Sequence, residues 1–166
     1  MKKIELTQNQ YALVDDEDYN RLNRWKWCAG YYSCIKSYYA KRNTPRDKNG
    51  KHTTICMHRI IMNAPSNLQV DHRNHDTLDN RKENLRLCTY SQNGMNRKLY
   101  KNTTSQYKGV YWHKQGKKWL AHIRTKDKSI YLGLFKSEIQ AAKAYNKKAK
   151  ELFGEFALSN NIKEMK

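Results

Sequence analysis

Apolar and polar positions along this chain change over in short pieces, and no apolar run is long. "YALVD" (residues 11–15) has the length and β-branched content of a strand. "DDEDYNRLNRW" (15–25) gathers its acids at one end, where the partial positive charge of a helix N-terminus favours them, so it predicts a single helix. "KWCAGYYSCIKSYYAKR" (26–42) and "HTTICMHRIIM" (52–62) are rich in aromatic and β-branched residues and predict strands. Between them "TPRDKNGK" carries Pro, Asp and Asn-Gly, the residues of a hairpin turn. Trp25 and Trp27, two apart with no ligand-like neighbours, are expected in the core.

Downstream, "LQVDH" predicts a strand, "RNHDTLDNRKEN" a long polar loop, and "LRLCT" a second strand with Arg86 on its exposed face. "TYSQNGMNRKLY" starts with Thr89 and has Gln92 three residues on, a capping-box pattern that predicts a helix. "KNTTSQ" (101–106) is polar and without core residues, and reads as a linker. Three strands follow, "YKGVYWHK", "KWLAHIRTK" and "KSIYLGLF", joined by "KQGKK" and "KDKS". "SEIQAAKAYNKKAKELFGE" is the strongest helix, with Ser137 as N-cap, Glu138 in the first turn and Gly154 as the stop. Its apolar face should be Ala142, Tyr145, Ala149, Leu152 and Phe153. The class is α+β: a β-rich N-terminal region, a strand–loop–strand–helix unit over 68–100, then a small three-stranded antiparallel sheet packed on one helix. The expected domains are 1–100 and 107–160, with 101–106 between them.

Charge sharpens this. The 166 residues carry 33 Lys and Arg against 15 Asp and Glu, a formal net charge of +18. The first 100 residues hold 18 basic and 10 acidic side chains, and the other 66 hold 15 and 5. Both parts are basic, the second more densely, which is the electrostatic footprint of a nucleic-acid binder. The lysines are spread over strand-like segments rather than one helix face, and no 18-residue apolar stretch exists, so no membrane partner is expected. "MKKIELTQNQ" lacks the apolar run of a signal peptide. Cys28, Cys34, Cys56 and Cys88 form no C-x-x-C knuckle, which argues against structural zinc and for buried reduced thiols. The expected setting is cytoplasmic, on the nucleoid of a bacterial host. No motif calls for an obligate protein partner, so a monomer is expected.

The polar run 69–89 admits a zinc cluster, a catalytic base or a solvated loop. Asp71 and His72 adjoin at a strand end, where both can lean toward one opening. Asn93, Asn96 and Arg97 are spaced to share a helix face. If that helix crosses the strand end, a carboxylate, an imidazole, two carboxamides and a guanidinium converge. Asp and Asn oxygens suit a hard cation, Mg²⁺ or Mn²⁺, rather than zinc. A hard cation beside an imidazole base is a kit for phosphodiester hydrolysis, with Arg97 placed to clamp the phosphate.

"MHRII", "VDH", "LDNRKENLR" and "SQNGMNR", over about residues 55–98, together resemble the HNH endonuclease family with its ββα-metal fold. The resemblance implies that His72 is the general base and that Asp71 and Asn93 hold a single divalent metal. It implies that Asn84 pins the loop by side-chain hydrogen bonds and so orients His72. The third letter is Asn93 rather than His, as in phage and intron-encoded members, which speaks for magnesium over zinc or nickel. His58 is expected in a strand, packed in support of the site, and His75 as a bystander in the loop. Arg73, Arg81 and Lys82 are expected on the DNA backbone.

Residues 105–160, through "YKGVYW", "KWLAHIR" and "YLGLFKSEIQAAKAYNKKAKELFGEFA", resemble the plant APETALA and ethylene-response-factor type of DNA-binding domain. Period-two reading places Val110, Trp112, Trp119, Ala121, Ile123, Ile130 and Leu132 inward. It places Lys108, Tyr111, His113, His122, Arg124 and Tyr131 outward, where the family contacts DNA. Arg124 is the one arginine among them, so sequence preference should be tolerant. The whole reads as a homing-type endonuclease for duplex DNA. A DNA-binding regulator with a retired nuclease domain and an RNA-acting protein are the competing readings.

Overall fold

The computed structural model describes residues 1–33, 35–97 and 103–162, which fall into two compact units, Met1–Tyr90 and Ser91–Lys166. In the first unit, β1 (Lys2–Glu5) and β2 (Tyr11–Val14) form an antiparallel hairpin. α1 (Asp16–Leu22) follows with Asp16, Glu17 and Asp18 in its first turn, where they complement the helix dipole. β3 (Cys28–Tyr32), β4 (Ser37–Asn43) and β5 (Thr54–Cys56) make an antiparallel sheet in that order. The hairpin turn ahead of β5 is closed by Asp47, whose carboxylate accepts from the backbone N–H groups of Asn49 and Lys51.

The strand expected through "MHRII" is instead the helix α2 (Met57–Ile61). Its buried residues Met57, His58 and Ile61 fit the helical period and not alternation. Arg59 fixes the exit from this helix. Its guanidinium donates to the carbonyls of Ala64 at 3.1 Å, Pro65 at 2.8 Å and Leu68 at 2.9 Å. β6 (Gln69–His72) and β7 (Leu85–Cys88) then pair antiparallel, setting Asp71 opposite Arg86 and His72 opposite Leu85.

One core binds these pieces: Ile4, Val14, Leu22, Trp27, Met57, Val70 and Leu85 are all buried in it. The Trp27 indole donates to the Leu22 carbonyl at 2.9 Å, so its one polar atom is satisfied. Trp25, expected beside it, is 51 % exposed and lies under the Arg42 guanidinium, 4.1 Å from its ring centre. Period two breaks here because the pair lies in the connection between α1 and β3, not in a strand.

α3 (Tyr90–Met95) is shorter than the capping box predicts. Gly94 and the asparagines around it are weak helix formers, and the helix buries none of its residues. Asn96 and Arg97 therefore lie past the helix end rather than on a shared face with Asn93. In the second unit, β8 (Val110–His113), β9 (Lys118–Arg124) and β10 (Ser129–Phe135) form an antiparallel sheet with β9 in the middle. α4 (Glu138–Phe153) lies on it, and the Ser137 hydroxyl accepts from the Ile139 N–H at its N-terminus.

The buried face of α4 is Ala141, Ala142, Tyr145, Ala149 and Phe153. Leu152, expected there, is 39 % exposed, and Trp112, expected inward, is 40 % exposed and packs edge-on against Trp119. Three alanines on the inner face let the helix approach the sheet closely. Gly109 marks the tightest point. Its φ is +75°, and a Cβ there would sit 2.1 Å from the Tyr145 ring. Of the expected linker, residues 101 and 102 lie outside the described residues, while 103–106 are tied into the second unit by hydrogen bonds. Ser105 is buried and donates to Glu138 at 2.6 Å, and the Thr104 hydroxyl accepts from the Trp112 N–H. Short hydroxyl side chains that cap a neighbouring element read as linker composition in sequence.

Candidate active site

His72 ends β6, buried, with its ring centroid 5.2 Å from that of His58 and 5.8 Å from that of Tyr39. Burial disfavours the imidazolium and lowers the pKa of His72 below its usual value, against the opposing pull of the Asn80 side chain and the Asp71, Asp76 and Asp79 carboxylates. At neutral pH the ring is uncharged, the state a base needs. His58 is buried as deeply and lowered to about 3, first by burial, then by His72 and Arg59. Its Nδ1 has no hydrogen-bond partner among the described residues.

Asp71 faces a different neighbour. Arg86 lies opposite on β7 and donates through Nε at 2.8 Å and an Nη at 2.6 Å, both to Oδ2. Both side chains are only 7 % exposed. The exposed face predicted for Arg86 is thus corrected. "LRLC" buries Leu85, Arg86 and Cys88 and exposes Leu87, because a carboxylate sits directly opposite the arginine. Removing one partner of such a buried pair costs about 3–5 kcal/mol, since it strands the other charge.

The loop between the two strands is a self-bonded frame. Asn84 is buried. Its amide donates to the Asp79 carbonyl at 2.7 Å and its Oδ1 accepts from the Asn74 N–H at 3.0 Å. The Asn74 amide in turn donates to Asp79. The loop also docks outside itself, with Leu13 N–H to Leu78 O at 2.9 Å, Asn80 N–H to Leu13 O at 2.8 Å, and the Thr77 hydroxyl to Tyr38 O. These bonds hold the peptide that leaves His72. His75, the bystander, takes a left-handed φ of 64° at the loop's turn.

Two cations expected on DNA are engaged inside the protein. Arg81 forks onto Asp79 at 2.8 and 2.7 Å, which lowers the Asp79 pKa, and it also pairs with Glu83. Lys82 pairs with Glu17 and Asp18 of α1. The acids on Arg81 are two residues away on either side, so only the loop's turn decides that case, whereas Lys82 is engaged by acids 64 and 65 residues away. Arg73 is exposed. Asn93 lies on α3, in the second unit, and Arg97 beyond it is exposed. Of the thiols, Cys88 is buried with its pKa raised to about 11 by burial, Cys28 is exposed, and Cys34 lies outside the described residues. The expectation of buried thiols fails at Cys28 because it opens an edge strand.

In the second unit, Tyr111 and Tyr131 are 40 % and 62 % exposed and Arg124 is exposed. His122 is half-buried and tilted against Tyr111 at 5.1 Å, with a pKa lowered by burial and by Arg124. His113 is half-buried, and its Nδ1 accepts from the Gly116 N–H, so it closes the β8–β9 turn. Lys108 is not on the outer sheet face. Its ammonium donates to the carbonyls of Met95 at 2.6 Å and Arg97 at 2.9 Å, and burial followed by Arg97 lowers it to about 8. A groove of about 320 Å³ runs between α3 and the sheet, past Lys108, Tyr111, His122 and Arg124.

The oxygens of Asp71 and Asn93 are of the kind a hard cation takes. Among the described residues no three His, Cys, Asp or Glu side chains gather as a metal cluster.

With this geometry in hand, comparison with known proteins gives the class. Residues 57–95 match the HNH endonuclease family and residues 105–155 match the AP2 domain. An uncharacterized HNH endonuclease, L560, of Acanthamoeba polyphaga mimivirus is 33 % identical over 152 residues, which span 92 % of this chain and 75 % of that protein. No solved structure matches the chain. The chain belongs to the HNH endonuclease family and carries an AP2-type DNA-binding domain: it is a nuclease-type DNA-binding protein.

Proposed function

We propose that this protein is a metal-dependent endonuclease that hydrolyses phosphodiester bonds in duplex DNA, acting as a homing endonuclease with tolerant sequence preference. The observation that carries this reading is the pairing of a buried, neutral His72 with a buried, ionic Asp71 at the mouth of a loop framed by Asn84.

His72 takes the proton of the attacking water. Asn84 holds the loop so that the His72 ring keeps its orientation, and Arg97 clamps the phosphate. Asp71 and Asn93 would hold a divalent cation, Mg²⁺ or Mn²⁺, and when bound it would supply Lewis-acid stabilisation of charge on the phosphoryl and leaving 3′ oxygens. Arg86 holds the Asp71 carboxylate in orientation for that role. Arg73 meets the DNA backbone near the loop, and Tyr111, His122, Arg124 and Tyr131 present the second unit to DNA. Free-standing or intron-encoded, the protein works as a monomer on DNA in the cytoplasm.

The test is His72→Ala assayed on plasmid DNA with and without Mg²⁺. Cleavage should vanish while DNA affinity changes less than about twofold, because the change removes a base and no phosphate contact. Wild-type cleavage rates in the mutant would remove His72 from the chemistry.

A further inference from the structure

Residues 24–56 lie outside both matched segments, and they carry eight Lys and Arg against one acid, Asp47. The fold connects part of this charge to the candidate base through two tyrosine rings. On one face of the β3–β4 ladder, Cys28 stands opposite Lys41, Gly30 opposite Tyr39, and Tyr32 opposite Ser37. The Tyr39 ring centroid is 5.8 Å from that of His72 and 5.3 Å from that of Tyr32. Lys41 starts at the far end of the ladder and runs back along it, so that its Nζ lies 5.5 Å from the centre of the Tyr32 ring. Gly30 makes this possible. A Cβ there would come within 2.2 Å of Lys41 Cε, so a side chain at 30 would push the lysine off its lane.

The result is a row from His72 through Tyr39 to Tyr32 and the Lys41 ammonium, and Tyr32, at its outer end, is 36 % exposed. The opposite face of the same ladder turns Ala40 into the core. A core explains that face, but it does not explain an aromatic and cationic row leading outward from the base.

We propose that this face of β3 and β4 is a DNA-binding surface that holds the strand flanking the scissile phosphate. The inference rests on the nuclease reading for its starting point at His72. Its occupant is duplex DNA because the surrounding segment has a strong positive excess, because a lysine on an aromatic platform offers a cation to a phosphate, and because phenol rings pack on sugars and bases. An acidic protein would meet the charge as well, but it would give the row no reason to begin at a catalytic histidine.

The experiment uses the full chain bearing Lys41→Ala, Tyr32→Ala or Gly30→Ala, with Lys48→Ala in the β4–β5 turn as a variant that loses the same charge elsewhere. Affinity for a short duplex is measured across a salt series, with hydroxyl-radical footprinting and single-turnover cleavage. Lys41→Ala should weaken binding by about tenfold and reduce the salt slope by about one. Tyr32→Ala should weaken binding with the slope kept. Gly30→Ala should resemble Lys41→Ala, and in all three the footprint should retract on one side of the cut. Lys48→Ala should leave the footprint whole. Unchanged footprints and affinities in the first three overturn the surface, and so does stronger protection of RNA than of duplex DNA. Failure of the wild-type protein to cleave counts against the nuclease reading instead, since binding and footprint decide the surface with or without cutting.

Discussion

At the residue scale, the buried Arg86–Asp71 pair is the feature with the most leverage. On the proposed reading, a divalent cation held by Asp71 would act on the same carboxylate that Arg86 pairs with. Arg86→Met should destabilise the protein by about 3–5 kcal/mol, because Asp71 is left as an uncompensated buried charge. Added Mn²⁺ should then raise the melting temperature of the mutant more than that of the wild type. Differential scanning fluorimetry with and without the ion checks this, and equal shifts would separate Asp71 from the metal. The histidines give a pH signature. In the folded chain His58 and His72 stay neutral below the ordinary imidazole pKa, while the unfolded chain takes up protons there. Stability is therefore complete above about pH 6.5 and is lost as pH falls toward the lowered values. His58 by itself should cost on the order of 2 kcal/mol by pH 5, and His58→Phe should flatten urea midpoints measured between pH 5 and 7.

At the element scale, propensity and tertiary context divide the outcome. Ser137, Glu138 and Gly154 bound α4 where the sequence puts them, because caps act locally. The period-two reading of "KWLAHIR" also holds, with Ala121 and Ile123 buried. It fails for "MHRII" and for Arg86, where the deciding contact comes from a neighbouring element. Gly109 offers a direct test of close packing. Gly109→Ala puts a methyl against Tyr145 at a positive φ and should destabilise the second unit by about 2 kcal/mol or more in chemical denaturation.

At the scale of the whole molecule, a net charge of +18 acts on DNA through the cations that reach the surface. Arg81 and Lys82 spend their charge on carboxylates inside the first unit, and the side chains of Arg73, Arg97 and Arg124 reach the surface. Affinity for DNA should fall steeply and linearly on a logarithmic salt scale. Arg73→Ala should reduce that slope by about one, while Lys82→Ala should leave it nearly unchanged, as salt titrations by anisotropy will show.

The sequence by itself determined the class of fold, the family and the "DH" and "ENLR" signatures, because strand alternation, helix caps and motif spacing are properties of neighbouring residues. It also showed Asn84 as a loop residue with both a donor and an acceptor to spend. Tertiary structure decided what each polar group meets. It turned Arg86 inward onto Asp71, set His58 and Tyr39 around the His72 ring, tied Arg81 and Lys82 to acids, and gave Lys41 a lane over Gly30. Those pairings reach from two residues, Arg81 to Asp79, to 65, Lys82 to Glu17, and their energies depend on distance and burial, which no local pattern encodes.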